Sequence, residues 1–168
     1  MKSQADFLIG QMRVVTMGEI TYFYVSNQPT EFKNLDQDLD ILLDKLEQAK
    51  KLAGLTAVGP DVVRYFPAGS QAPGLYWMEV GIPVSAGTGP VGEAKVKTLP
   101  PYRCAGMLLW GGLMHMGQTH MTLEQAVAVA GLQKTGEYRE WNYWFESVDS
   151  PNNLIGLYLG IQAASTLG

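Results

Sequence analysis

The chain has 168 residues, 46% of them hydrophobic, and a formal net charge of −4 at pH 7. These values fit one globular domain and argue against a disordered chain, while the acidic balance argues against direct binding of nucleic acid, which needs a basic surface. Cys104 is the single cysteine, so no intrachain disulfide can form, and no apolar run resembles a signal peptide or membrane span; we therefore expect a cytoplasmic protein.

The first half of the chain predicts one strand, one helix and two further strands. Runs of β-branched and aromatic residues mark the strands, and Gly18 marks a bend in the first of them. Leucines at helical spacing predict the helix, which Asn34 can cap at its start and Gly54 at its end. The predicted elements are a strand over 12–25, a helix over 34–54 and strands over 61–66 and 75–84.

The second half repeats this order after a glycine-rich linker over 85–97. Thr122 and Gln125 predict a capping box at the start of its helix, and Gly136 predicts the end. The predicted elements are a strand over 99–110, a helix over 122–134 and two strands joined by a turn within 137–162. The duplicated order predicts an α+β fold: an antiparallel sheet with two helices on one face and a ligand cleft on the other. We expect a single domain, 1–168, with pseudo-symmetric halves at about 12–84 and 99–162.

Two of the predicted strands carry an indole and a carboxylate on the same face. Side chains alternate between the two faces of a strand, so each strand has one apolar set and one mixed set. We expect the apolar sets to pack against the helices; they are Tyr76, Met78, Val80 and Ile82, and Trp141, Tyr143 and Phe145. We expect the mixed sets to face one common cleft; they include Trp77, Glu79, Trp144 and Glu146. A bulge between Trp141 and Glu146 would reverse the facing of Glu146 relative to Glu140.

Five segments of the chain stand in a characteristic order: GPDVVRYFPAG, MEVGIPV, LPPYRCAGMLLWGG, EYREWNYWFES and LYLGIQ. From about Met12 to Gln162 the chain thereby resembles the GyrI-like small-molecule-binding family, which includes the effector-binding domains of bacterial multidrug-responsive transcription activators. The resemblance implies two pseudo-symmetric halves and an aromatic cleft, where a carboxylate of the penultimate strand meets lipophilic cations. Glu140 and Glu146 both fit that position. Only eleven residues precede Met12, so we expect a stand-alone form without a DNA-binding helix-turn-helix.

The resemblance and the aromatic strands together predict a protein that binds a hydrophobic aromatic small molecule, either cationic or neutral, as in drug or effector sensing or sequestration. Aromatic ring faces suit a flat or cationic ligand, and a carboxylate between aromatic side chains would have its pKa raised by loss of water. The candidate ligand-binding residues are Tyr65, Trp77, Glu79, Trp110, Trp144, Glu146 and Tyr158.

Two alternatives remain open from the sequence. Some stand-alone relatives are similar to hydrolases that open the cyclopropane rings of alkylating compounds, and the run WNYWFE resembles theirs; Glu146 or Glu140 would then be the catalytic residue that activates water. A pure interaction module would instead bind a protein partner or a second copy of the chain on the open sheet face. We expect no cofactor and no metal, because His115 and His120 lie five residues apart with no cysteine or carboxylate patterned around them.

Overall fold

The computed structural model describes residues 7–57 and 59–163. It has the predicted α+β class, with antiparallel strand pairing and two α-helices. No helix within these residues is both long enough and apolar enough to cross a membrane. The elements are β1 (Leu8–Ile9), β2 (Arg13–Met17), β3 (Ile20–Ser26), β4 (Thr30–Glu31), α1 (Leu35–Ala53), β5 (Asp61–Pro67), β6 (Leu75–Val84), β7 (Lys95–Leu99), β8 (Tyr102–Trp110), α2 (Met116–Val129), β9 (Lys134–Trp144) and β10 (Leu154–Ile161).

The chain divides into two compact units, which we call the central unit and the terminal unit. The central unit is residues 18–101, and the terminal unit joins residues 1–17 to residues 102–168. In the central unit β3 pairs with β6 and β7, and β6 pairs also with β4 and β5. Helix α1 packs on β3 and β6. In the terminal unit β8 pairs with β1, β2 and β10, and β10 pairs with β9.

Helix α1 ends as predicted but begins differently. Gly54 adopts the left-handed conformation (φ 60°) that a helix C-cap favours, and its N–H donates to the carbonyls of Lys50 and Lys51. Asn34 makes no capping hydrogen bond, because a 3-10 turn over Phe32–Asn34 precedes the helix and gives Asn34 a helical conformation (φ −97°, ψ −3°). An N-cap needs an extended conformation, so the predicted cap is wrong.

The predicted strand over 12–25 consists of two strands that belong to different units. Residues of β2 pair with β8, whereas residues of β3 pair with β6 and β7, and the chain changes partner at Gly18. The glycine therefore marks a change of hydrogen-bonding partner rather than a bend within one strand. The predicted linker over 85–97 also differs, since its last residues belong to β7, and Pro100 and Pro101 separate β7 from β8.

Helix α2 begins six residues earlier than predicted. It starts at Met116, and the Thr122 hydroxyl donates to the Gln118 carbonyl (2.8 Å) within the helix instead of capping its start. The chain leaves the helix at Gly131 (φ 67°), five residues before the predicted stop. Its buried side packs on β8 and β10, with Leu123 and Val127 against a cluster of Ala105, Met107, Leu157, Leu159 and Ile161.

Glycines on the opposite face of the terminal unit make room for a buried tyrosine. A Cβ at Gly106 would lie 2.4 Å from the Tyr158 ring, and one at Gly156 would lie 2.6 Å from it. Side-chain carbons do not approach so closely, so only glycine lets the ring lie flat against the backbone of these two strands.

We predict that Gly106→Ala destabilises the protein by about 1–3 kcal/mol, because the added methyl group must displace the Tyr158 ring or separate the strands. The matched control is Gly117→Ala on the exposed side of α2, where an added Cβ meets nothing within 4 Å. That substitution should be neutral or stabilise by up to about 1 kcal/mol. Urea denaturation followed by circular dichroism measures both; equal midpoints for Gly106→Ala and wild type would contradict the prediction.

Candidate functional site

A cleft of about 520 Å³ lies in the terminal unit, beside β2 and β8. This volume is in the range of small-molecule sites in proteins. Most of its lining is apolar or aromatic. The lining residues are Gly10, Gln11, Arg13, Val15, Met17, Gly106, Met107, Leu108, Trp110 and Tyr158.

Strand register explains why these residues line one cleft. Directly opposed residues of antiparallel strands point to the same face of a sheet. Arg13 lies opposite Gly106, and Gly106 lies opposite Tyr158, so the three form a row across β2, β8 and β10. Alternate residues of β2, Val15 and Met17, extend the same face. The residues that pack against α2, such as Ala105 and Leu157, lie on the other face.

Tyr158 is the most constrained residue of the lining. It is 9% exposed, and its hydroxyl lies 2.6 Å from that of Tyr143. Burial and then the Tyr143 hydrogen bond raise the pKa of the Tyr158 phenol above its usual value. The phenol is therefore neutral at physiological pH, and it offers a fixed ring without charge.

The structure reverses the predicted facing of β9. Glu140 lies opposite Leu157, so it points toward α2, where its Oε1 is 3.6 Å from His120 Nε2. Trp141 instead packs on the cluster of Tyr102, Cys104 and Tyr158 on the open face. The physical reason lies on β8 and β10, whose glycines leave space on the open face for large rings. The prediction that Trp141 and Tyr143 pack against the helices is wrong.

A β-bulge then changes the facing again near the end of β9. Asn142 pairs with Ile155 and Trp144 pairs with Leu154, so Tyr143 is the extra residue. Trp144 returns to the open face and is 61% exposed. It ends a cross-strand row of exposed or half-buried apolar residues that begins beside the cleft: Leu8, Trp110, Leu154 and Trp144. Trp110 belongs to both the row and the lining, whereas Trp144 does not line the cleft.

Glu146 lies beyond β9, in the turn that leads to β10. Its carboxylate accepts hydrogen bonds from the Ser150 hydroxyl (2.6 Å), the Asn152 amide (3.1 Å) and the Trp144 indole (3.2 Å). These bonds, with that of Ser150 first, lower the pKa of Glu146. The predicted rise of its pKa is wrong, because the side chain is exposed and its hydrogen bonds favour the charged form. The carboxylate holds this turn together.

Glu79 is buried in the central unit between two cations. It is 5% exposed and forms ion pairs with both Arg64 and Lys97. Lys97 also lies over the Tyr24 ring, 4.3 Å from its centroid. One carboxylate with two cationic partners has no uncompensated negative charge to offer a cationic ligand.

The two remaining predicted ligand-binding residues also belong to the central unit. Tyr65 is 4% exposed, and the Phe32 ring packs edge-on against it at 6.4 Å between centroids. Trp77 is half-buried and lies opposite Phe66. Neither lines the cleft of the terminal unit. Of the predicted ligand-binding residues, the lining contains Trp110 and Tyr158.

The sequence interpretation missed the contribution of β2. Arg13, Val15 and Met17 line the cleft, but the prediction placed them in one long strand of the first half. The available signal was that Arg13, Val15 and Met17 occupy every second position before Gly18, which places them on one face of a strand. The signal could not identify the cleft, because pairing with β8, nearly ninety residues away, decides which face of the sheet these residues cover.

Solved structures confirm the predicted fold. No protein-family model and no curated protein matches the sequence. The chain is similar to the EcmrR C-terminal domain (TM-score 0.73, 15% identity, 92% of this chain and 98% of that one). It is similar to SAV2435 bound to tetraphenylphosphonium (TM-score 0.69, 8% identity, 91% and 94%) and to a hydrolase from Listeria innocua (0.56, 13%, 90% and 92%). The chain therefore has the same fold as these structures, as the GyrI-like resemblance implied.

We predict that Glu79→Gln destabilises the protein by about 3 kcal/mol, because the substitution removes the buried negative charge that pairs with both Arg64 and Lys97. The matched control is Glu93→Gln in the same unit, which removes a surface ion pair to Lys45 (3.3 Å) and should cost less than about 1 kcal/mol. Chemical denaturation at neutral pH compares the two variants. Similar small losses for both would show that the buried ion pairs contribute little.

Glu146 should stabilise the protein in a pH-dependent manner. Because its pKa in the folded chain is below the ordinary value of 4.5, this contribution is present above that pH and is lost as the pH falls through the lowered pKa. Glu146→Gln should therefore melt at a lower temperature than wild type at about pH 6, and the difference should shrink toward zero near about pH 2.5. Asp149→Asn, which removes another exposed carboxylate of the turn, serves as the control. A gap between wild type and Glu146→Gln that does not change with pH would contradict this role.

Proposed function

We propose that the chain binds a hydrophobic aromatic small molecule in the cleft of the terminal unit. The observation that carries this proposal is the Tyr158 ring, held flat on two glycines and lining a cleft of about 520 Å³. A rigid aromatic surface gives a ligand contact area without loss of side-chain freedom.

The apolar lining supports the same conclusion. Trp110 is 39% exposed and stands in the cleft beside Leu108. An indole left partly exposed next to apolar side chains is stabilised when a ligand covers it, because the ligand removes apolar surface from water. Val15 and Met17 on β2 provide the remaining apolar contacts, and the methionine side chain can adapt to ligands of different shape.

The comparison with SAV2435 adds independent support, since that protein was solved bound to tetraphenylphosphonium, a compound with four phenyl rings. The function we propose for this chain is accordingly the uptake of aromatic compounds, either for sensing or for sequestration. The cation-binding part of the expectation has less support, because the described lining of the cleft contains no carboxylate.

The geometry favours neither alternative function. A hydrolase of the predicted kind would need Glu140 or Glu146 beside the bound substrate. Glu140 faces α2 instead, and the Glu146 carboxylate accepts hydrogen bonds within its own turn. An interaction module would not need an enclosed aromatic ring between glycines. Binding of a small molecule is therefore the single function that we propose.

We predict that Trp110→Ala weakens the binding of aromatic probes about tenfold or more, because it removes an aromatic contact from the cleft. Isothermal titration calorimetry with tetraphenyl compounds and flat polycyclic dyes measures the loss. The control is Phe32→Ala, which removes an exposed aromatic side chain (57% exposed) from the central unit and should leave the affinity unchanged. No saturable binding to the wild-type protein, or equal affinities for wild type and Trp110→Ala, would rule out this site.

A further inference from the structure

We infer that the cleft of the terminal unit selects aromatic anions: the rings lie against Trp110 and Tyr158, and the negative charge lies near Arg13. The inference rests on the proposed function and adds the charge of the ligand to it.

The described lining of the cleft carries a positive charge. Among the described residues that line it, Arg13 is the one that carries a charge. A guanidinium stays protonated at any physiological pH, so its charge is permanent. Arg13 is exposed, and within residues 7–57 and 59–163 it forms no ion pair with an acidic side chain. Its charge is therefore available to a ligand.

The position of Arg13 suits a ligand with rings at one end and an anionic group at the other. Arg13 lies opposite Gly106, directly across the sheet from Tyr158. Its aliphatic stem can lie along the apolar lining while its planar, five-donor head reaches the mouth of the cleft. A guanidinium donates paired hydrogen bonds to a carboxylate or a sulfonate. A cationic group cannot accept such hydrogen bonds. Gln11 lines the same cleft and brings an amide donor.

The carboxylates that would favour a cation have other partners. Glu79 is paired with Arg64 and Lys97 in the central unit. Glu146 accepts three hydrogen bonds in its own turn, and Glu140 points toward His120 on the α2 side of the sheet. The Tyr158 phenol stays neutral because its pKa is raised, so it supplies no negative charge either. A cation in this cleft would meet the Arg13 charge, and no carboxylate among the described lining residues would offset it.

Two probes with the same shape and opposite charge test the inference. Tetraphenylborate and tetraphenylphosphonium both place four phenyl rings around a central atom, so their apolar contacts are alike. The two ions differ in how readily they transfer out of water. For each protein variant we therefore take the ratio of their two dissociation constants, and we compare the ratio in wild type with the ratio in the variant. Calorimetry or equilibrium dialysis at low salt measures both constants, since salt screens an exposed charge.

We expect wild type to bind the borate more tightly than the phosphonium, and Arg13→Gln to reduce this preference about tenfold. Arg13→Lys should keep most of the preference, because it retains the charge. The matched control is Lys51→Gln, which changes the net charge equally but lies on the exposed side of α1 in the central unit. Circular dichroism verifies that each variant is folded.

The outcomes separate this inference from the proposed function. The same ratio of dissociation constants in wild type and Arg13→Gln would overturn the selection of anions while leaving the binding site in place. An equal change in Lys51→Gln would overturn it as well, since the effect would then follow net charge rather than Arg13. Failure of both probes to bind wild type saturably would overturn the proposed function and this inference together.

Discussion

The terminal unit depends on the contact between the Tyr158 ring and the backbones of Gly106 and Gly156. Because neither glycine has a Cβ, the ring lies flat across two strands and its hydroxyl reaches Tyr143 on a third. This contact ties β8, β9 and β10 together on the face opposite α2. It also keeps the ring low, so the space above it forms a cleft instead of being filled by side chains. One close approach of ring and backbone thus contributes both to the packing of the unit and to the open space of the cleft.

The acidic residues of the chain serve the fold more than the cleft. Glu79 holds two cations within the central unit, and Glu146 organises a turn through three hydrogen bonds. Both lie near aromatic side chains, which made them attractive ligand-binding candidates. A carboxylate beside an indole can equally be a structural acceptor, and the two roles are distinguished by its other hydrogen-bond partners. In both cases those partners are present in the structure.

The sequence predicted the fold and two of the residues that line the cleft. Periodicity and glycine stops located the helices and most strands, because these signals are local. The facing of β9 could not be predicted, because Trp141 and Glu140 are placed by glycines on other strands and by a bulge at Tyr143. The position of Arg13 in the lining of the cleft could not be predicted for a similar reason, since its partner strand is distant in the chain. Trp110 and Tyr158, which the sequence suggested as ring faces for a flat or cationic ligand, both line the cleft.

The division of the cleft between two kinds of strand has a consequence for how this fold can diversify. Tyr158 belongs to a strand paired on both sides, and substitutions around it disturb the packing of the sheet. Arg13, Val15 and Met17 stand on β2, which pairs with β8 alone among the described strands, and they are exposed or half-buried. Substitutions on this edge strand would change the lining of the cleft with less disturbance of the sheet than substitutions around Tyr158. Under the function that we propose, the preference for ligand charge can therefore change independently of the aromatic contact with Tyr158.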